Sequence, residues 1–161
     1  MLAQIPYDGV ELVAYSFTGG VDGANPLATL IYVGSIAYIL YGTTENGGAF
    51  GKGVIFSFNI STGVETVLYS FAGGNDGANP SGALLSLNSK FYGTTAAGGP
   101  SGVGTVFMFD PATGTETVLH SFNGSDGGDI RGGVIEAGNL LYGTSYKGGA
   151  SHFGTVFSLR P

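Results

Sequence analysis

Short runs of apolar and β-branched residues recur along the whole chain, separated by clusters of Gly, Asn, Asp or Pro. In the middle of the chain these runs are ETVLYSF, GALLSLN, KFYGTT and GTVFMFD. Runs rich in Val, Ile, Phe, Tyr and Thr favour strands, and turn residues mark their ends. No window keeps a helical period between capping residues. The pattern predicts an all-β protein built from short strands.

Two phrases support tight turns between these strands. SLNSKF joins two runs and is typical of a tight hairpin. DPATGTE joins the next two, with Pro111 presetting a turn and Gly114 free to adopt a positive φ.

The four-run pattern occurs three times. Tyr41 of the phrase YGTT precedes Tyr92 by 51 residues, and Tyr92 precedes Tyr142 by 50. Four short strands in roughly 50 residues are typical of a β-propeller blade. The sequence therefore predicts one repeat domain over residues 1–161, a β-propeller with three four-stranded blades per chain. The blade units are approximately 10–59, 64–110 and 115–160, and each reads as strands D-A-B-C.

The order of these strands resembles the quinoprotein-type blade. The phrases YGTT…GG…G.GTVF and SF.GG.DGANP are similar to those of the GloVer tandem-repeat family of bacterial proteins. The resemblance covers nearly the whole chain, although SDGGDIRGG replaces the DGANP phrase in the third row. It implies propeller-like architecture and an extracellular or cell-surface location more than any activity.

The phase of the rows leaves two strands without partners. The first D strand, at residues 10–17, has no C strand before it, and the last C strand, at 154–160, has no D strand after it. Open sheet edges promote aggregation, and known propellers use roughly 4 to 8 blades. We therefore expect closure by homo-oligomerisation, in which the D strand of one copy completes the last blade of its neighbour. A homodimer with six blades is favoured, and a homotrimer with nine is the alternative. A monomeric sandwich or barrel of twelve strands and a piece of a longer repeat array also stay open.

Charge and composition exclude several classes of protein. Five Lys+Arg residues against eleven Asp+Glu give a net charge of −6, and the basic residues are scattered, which argues against nucleic-acid binding. The absence of cysteine excludes disulfides and thiolate metal sites. The sequence has no signal-peptide pattern at residues 1–10, and no unbroken apolar run long enough for a membrane span.

Candidate ligand-binding residues lie in loops that a propeller places on one face. These loops join D to A and B to C, and functional groups on rigid scaffolds are commonly borne by loops. The candidates are Asp22, Asn25, Glu45, Asp76, Asn79, Asp126, Asp129, Arg131, Tyr146, Lys147 and His152. No catalytic residue, metal site or cofactor is predicted.

Structural explanations compete with binding at several of these positions. Asp22, Asp76 and Asp126 could bind Ca²⁺ or sugar hydroxyls, but a repeated Asp in a repeated turn more often caps that turn through its own backbone. The YGTT hydroxyls could line a channel, but we expect packing roles for them. His120 stands where the other rows have Tyr15 and Tyr69, so a structural role is expected for it too.

Three functions remain in competition. The first is a non-enzymatic oligomeric propeller that binds a polar ligand such as a glycan through the loop face. The second is a structural self-assembly or interaction repeat of a cell-surface protein without a small ligand. The third, a propeller enzyme of hydrolase or lactonase type, requires a metal or acid–base cluster that the sequence does not show.

Overall fold

The computed structural model describes residues 11–34 and 38–161, which form three antiparallel sheets, none of them closed on itself. The first sheet has the order β1 (Ile31–Tyr32), β2 (Ile39–Thr44), β3 (Val54–Asn59), β4 (Val64–Ser70). The second contains β5 (Gly77–Pro80), β6 (Leu85–Leu87), β7 (Lys90–Gly98), β8 (Thr105–Asp110) and β9 (Thr115–Ser121). The third contains β10 (Ile135–Ala137), β11 (Leu140–Ser145) and β12 (Thr155–Leu159). The described residues contain no helix, so the all-β prediction is confirmed.

The first two sheets each take their outer strand from the row that follows. β4 opens the second row yet pairs with β3 of the first sheet, and β9 pairs with β8 in the same way. The third sheet stops at β12, so the three sheets have four, five and three strands rather than four each. The fifth strand of the second sheet is β5, which comes from the phrase predicted to be a loop. It pairs with the far end of β7, and Pro80 is tolerated there because β5 is an edge strand.

The predicted strand at 10–17 does not form. Its first residue lies outside the described residues, and residues 11–17 belong to no strand of the described chain. A strand requires a neighbour that accepts its backbone hydrogen bonds, and β3 already pairs with β2 and β4. Residues 11–17 instead lie against the first sheet through Tyr15 and Phe17.

A β-bulge divides each outer strand into two halves. The pairing of β3 with β4 shifts between Ile55 and Phe56, and the pairing of β8 with β9 shifts at the equivalent place. A bulge breaks the alternation of side chains along a strand. Glu65 and Tyr69 of β4 therefore point to opposite faces although four residues separate them.

Apolar clusters join successive sheets. Ile55 of the first sheet packs into a cluster that includes Phe71, Leu84 and Phe107. Val106 of the second sheet packs in the same manner with Phe122, Val134 and Leu141. Edge-on ring contacts recur at both junctions, with Phe71–Phe107 centroids 5.1 Å apart and Phe122–Phe157 centroids 4.9 Å apart.

The predicted turns form as expected. Asn88 and Ser89 both have positive φ (51° and 60°), which defines the two-residue hairpin between β6 and β7. Gly114 has a φ of 69°, and its N–H donates to the Asp110 carbonyl at 2.8 Å.

The last hydroxyl of the YGTT phrase is hydrogen-bonded within the fold in each row. Thr95 is fully buried and its Oγ1 donates to the Ala97 carbonyl at 2.8 Å, while Ser145 does the same to the Lys147 carbonyl. These last hydroxyls close the turn that follows the strand, whereas Thr144 is exposed. Among the described residues, no helix is long and apolar enough to cross a membrane.

Candidate functional site

The three repeated aspartates cap their own loops. Asp22 accepts hydrogen bonds from the Thr18 N–H at 2.8 Å and from the Tyr15 hydroxyl at 3.0 Å. Asp76 accepts the equivalent bonds from Ala72 and Tyr69, at 2.8 and 3.0 Å. Asp126 accepts from the Asn123 N–H, and His120 Nε2 lies 2.9 Å from its Oδ2. The structural interpretation of these aspartates therefore has direct support, whereas their binding of a ligand stays a prediction.

Asn25, Asn79 and Asp129 occupy left-handed backbone positions at equivalent points of the three rows, with φ of 57°, 57° and 53°. Asn and Asp tolerate this conformation better than other side chains. The two later residues also join neighbouring sheets, because Asn79 N–H donates to the Lys52 carbonyl and Asp129 N–H to the Val103 carbonyl, both at 2.8 Å. These loop residues are thus structural joints as well as candidates for binding.

Amide side chains form a short ladder beside Glu45. Asn79 Nδ2 donates to the Glu45 carbonyl at 3.1 Å and to Asn46 Oδ1 at 3.2 Å. Asn46 Nδ2 in turn donates to Asn25 Oδ1 at 3.2 Å. The ladder holds the loops of the first two rows together.

The third row replaces that ladder with charges. Arg131 donates through Nε and Nη2 to both oxygens of Asp129, at 3.1 and 2.9 Å, and Lys147 Nζ lies 3.2 Å from Asp129 Oδ2. These hydrogen bonds, above all the one from Arg131, lower the pKa of Asp129. The Arg131 guanidinium also lies over the Tyr146 ring, 3.9 Å from its centroid.

Equivalent positions of all three rows converge on one cavity of about 410 Å³, which we call the loop-face cavity. It is lined by Leu27, Glu45, Ser81, Ala96, Asp129 and Arg131. Leu27, Ser81 and Arg131 occupy one equivalent position of the three rows, and Glu45 and Ala96 share another with Tyr146. The cavity therefore combines two acids, a hydroxyl, a guanidinium and two apolar side chains at positions that differ between the repeats.

The structure brings together only part of the predicted site. Glu45, Asp129 and Arg131 line the loop-face cavity, with Tyr146 and Lys147 in contact with this group. His152 does not line it and sits at a φ of 62°, where the other rows have Gly51 and Gly102. Leu27 and Ser81 were missed, although their variation at one repeat position was a signal available in the sequence.

The two outer sheets present unmatched halves of the junction that joins the sheets inside the chain. Val156 of β12 is 78% exposed, whereas Ile55 and Val106 at the equivalent positions are 0% exposed. At the opposite side of the molecule an open groove of about 430 Å³ contains Phe17, Leu30 and Phe56. These residues are equivalent to those that receive Ile55 and Val106, and we call this feature the first-sheet groove.

Comparison with protein families decides the membership of the chain. The model of the Gloeobacter/Verrucomicrobia repeat matches residues 3–161. The chain belongs to the Gloeobacter/Verrucomicrobia repeat family. Comparison with curated proteins gives no match. As a member of this repeat family, the chain keeps its joints and turns in every row, while the loop-face cavity collects the positions that vary.

Proposed function

We propose that this repeat protein is a non-enzymatic, self-assembling module in which the three sheets are blades of a β-propeller and a second copy closes the ring. A dimer with six blades is the favoured assembly, and a trimer with nine is the alternative. The observation that carries the proposal is the 78% exposure of Val156 at a position that is fully buried in both preceding sheets. The proposal includes an extracellular or cell-surface location, which is supported by the family resemblance.

The first-sheet groove has the shape and chemistry that Val156 requires. Ile55 is buried by Phe71 and Leu84, and the equivalents of those two residues in the groove are Phe17 and Leu30. Leu30 is 46% exposed, whereas Leu84 is 5% exposed. Insertion of Val156 of one copy into the groove of another would remove both apolar surfaces from water, and full burial of one such side chain contributes about 1.5–3 kcal/mol.

Backbone groups at the two ends are complementary as well. Phe71 N–H donates to the Gly53 carbonyl and Phe122 N–H to the Gly104 carbonyl, each at 3.0 Å. The next members of this series are the Gly154 carbonyl of one copy and the Phe17 N–H of another.

A second series of backbone hydrogen bonds leads to Phe153. Its carbonyl is the equivalent of the Lys52 and Val103 carbonyls, which accept from the N–H groups of Asn79 and Asp129. Phe153 is 93% exposed in the single chain.

Residues 11–17 already hold the position that an outer strand holds relative to the following sheet. The Tyr15 and Phe17 rings are 5.1 Å apart and nearly perpendicular, as are the Tyr69 and Phe71 rings at 5.2 Å. Phe17 also meets Phe56 at 5.0 Å, close to the 5.1 Å of Phe71–Phe107. The segment is therefore preorganised to pair with β12 of another copy, which reduces the entropic cost of association.

Two variants test the head-to-tail geometry. Val156→Asp places a charge on the side chain that the proposed junction inserts, and Leu30→Asp places one in the groove that receives it. Each variant alone should therefore be monomeric. Mixing them restores one intact junction, because the Val156 of the Leu30→Asp chain meets the intact groove of the other chain. We expect a heterodimer in sedimentation experiments on the mixture only. Val21→Asp is the matched control, since Val21 is 75% exposed in a loop and should leave assembly unchanged.

Assembly of the Val156→Asp variant to the same extent as the natural chain would contradict the proposed junction. Failure of the mixture to form a heterodimer would contradict its head-to-tail arrangement.

A second candidate function, binding of a polar ligand such as a glycan, is favoured by the loop-face cavity. Sugars are recognised by planar hydrogen-bonding groups next to an aromatic surface. Asp129 uses Nε and Nη2 of Arg131, so a ligand would meet the remaining Nη1 group, with Glu45 on the opposite wall and Tyr146 nearby. Tyr146 is 58% exposed.

A glycan array probes this second function. Binding should disappear in Arg131→Ala and persist in Lys52→Ala, which removes a basic side chain that does not line the loop-face cavity. An array without any signal at high protein concentration would contradict glycan binding. Stoichiometric metal bound to purified protein, together with hydrolase or lactonase turnover, would instead favour the enzymatic alternative.

A further inference from the structure

Two glutamates at the start of the outer strands are half-buried, and one carboxylate oxygen of each is removed from water. Glu65 of β4 and Glu116 of β9 occupy equivalent positions, and each has an Oε1 atom that lacks a partner in the described residues. Burial raises the pKa of Glu116 to about 7, with a further contribution from the negative charge of Asp76. The pKa of Glu65 is raised as well, by burial and by the negative charge of Asp22. Both junctions therefore hold a carboxyl group that lacks a compensating positive charge.

The groups that face these glutamates are neutral or negative. Glu116 faces Tyr69 and Asp76, whose hydroxyl and Oδ2 are joined by a hydrogen bond of 3.0 Å. Glu65 faces the equivalent pair, Tyr15 and Asp22, also joined at 3.0 Å. The same three-residue arrangement of Glu, Tyr and Asp thus occurs at both places where an outer strand meets the preceding repeat.

The third member of the series differs in one residue. His120 replaces the tyrosine, and its Nε2 lies 2.9 Å from Asp126 Oδ2. Next to this pair is a cavity of about 270 Å³ lined by His120, Phe122, Asp126, Phe157, Ser158 and Leu159. Asp126 is the one ionisable side chain besides His120 in this lining; the side chains from β12 carry no charge. We call this feature the histidine cavity.

The pairing registers identify the side chain that fits the histidine cavity. Glu65 lies opposite Phe58, and Glu116 lies opposite Phe109. Leu159 is the equivalent of these phenylalanines in β12, and Glu11 is the equivalent of the glutamates in residues 11–17. Residues 11–17 of a second copy can pair with β12 of the first copy in this register. Glu11 of the second copy then lies opposite Leu159 of the first copy and next to its His120.

We infer that the histidine cavity receives Glu11 of a second copy, and that His120 is the residue through which the two copies recognise each other. This contact rests on the proposed assembly. A protonated imidazole between Asp126 and the incoming carboxylate supplies the positive charge that the two junctions within the chain lack. The substitution of His for Tyr occurs at the junction that is formed between molecules.

Proton uptake then accompanies association. An unperturbed histidine changes its charge near pH 6.5, and only the protonated imidazole attracts a carboxylate. Association is therefore tightest where the imidazole is protonated and weakens as the pH rises past neutrality. We expect the affinity to fall about tenfold for each contact between pH 6 and pH 8.5.

A double-mutant cycle between Glu11→Gln and His120→Tyr tests the contact, with dissociation constants measured by fluorescence-detected sedimentation at pH 6 and 8.5. His120→Tyr restores the residue found at the other two positions, so it should fold normally. At pH 6, Glu11→Gln should weaken association of the natural chain. In the His120→Tyr background it should leave association unchanged or strengthen it, because a neutral side chain then replaces an uncompensated carboxylate. The difference should fade at pH 8.5.

An equal effect of Glu11→Gln in both backgrounds at pH 6 would overturn this contact while the assembly itself stands. A natural chain that stays monomeric at all concentrations would overturn the assembly, and the contact would fall with it. Glu136→Gln is the control, because Glu136 is an exposed carboxylate that does not line the histidine cavity, so it should not change the dissociation constant at either pH.

Discussion

Val156 is exposed over 78% of its surface, whereas Val106, the equivalent residue one repeat earlier, is completely buried. The two side chains are identical and lie at the same position of their strands. The difference arises because Val106 has a following sheet to pack against, with Phe122 and Val134 around it, and Val156 has none within the chain. The same amino acid is thus a core residue in one repeat and an exposed residue in the next, where the proposed assembly makes it an interface residue.

The same substitution at these two valines should have different consequences. Val106→Asp buries a charge without a partner and should lower the free energy of unfolding by about 3 kcal/mol or more. Val156→Asp should leave the monomer folded, because the charge stays in water. Circular dichroism and urea denaturation measure the first effect, and sedimentation velocity measures the loss of assembly expected for the second. Equal destabilisation of the monomer by both would contradict the exposure of Val156.

Glu116 should make stability depend on pH. Its pKa is raised to about 7 in the folded chain, mainly by burial, above the usual value of about 4.5. The folded state therefore binds more protons between these values, so stability is greatest at low pH and falls as the pH rises from about 4.5 to 7. Because the side chain is partly exposed, we expect a loss of about 1–2 kcal/mol rather than the full value.

Glu116→Gln should remove that dependence and stabilise the protein at pH 8. Urea denaturation at pH 5 and pH 8, at one protein concentration, measures the change. Glu136→Gln is the control, because a glutamine oxygen can also accept the hydrogen bond that Glu136 takes from Asn139 N–H. A natural chain with equal stability at both pH values would contradict the raised pKa.

Asn79 should contribute to the stability of the protein through its left-handed backbone conformation as well as through its hydrogen bonds. Asn79→Ala removes the bonds to Glu45 and Asn46 and places an alanine at a φ of 57°, so we expect a loss of about 2 kcal/mol. Asn79→Gly loses the same bonds without the conformational cost and should destabilise by about half as much. Thermal denaturation compares the two. If the two variants were equally unstable, the left-handed backbone would not matter.

Three turn-capping positions and most strands could be predicted from the sequence, because turn residues and strand-forming runs act locally. The strand β5 could not, because Gly77–Pro80 contains no strand-forming run and pairs only because β7 extends to Gly98. Residues 11–17 form no strand in the single chain for a different reason: their sequence favours a strand, but pairing depends on a neighbour, which the prediction places in a second copy. Leu27 and Ser81 were missed because convergence of the three rows on one cavity is a property of the packed sheets.

His152 should be unfavourable for stability. It has a φ of 62°, a conformation that the other two rows assign to Gly51 and Gly102. His152→Gly should raise the free energy of unfolding by up to about 1 kcal/mol, the balance of relieved backbone strain and the greater chain entropy of glycine. Urea denaturation with Ser151→Gly as the control measures this. A destabilised His152→Gly variant would point to a side-chain contact of His152 that outweighs the strain.

The mass of the natural chain in solution tests the central claim most directly. Light scattering coupled to size-exclusion chromatography, over a range of protein concentrations, measures it without any substitution. Closure by a second copy predicts a discrete species of about twice 16.3 kDa, with about three times that mass for the alternative ring of nine blades. A mass of one chain at every concentration would show that the exposed Val156 and the first-sheet groove do not meet.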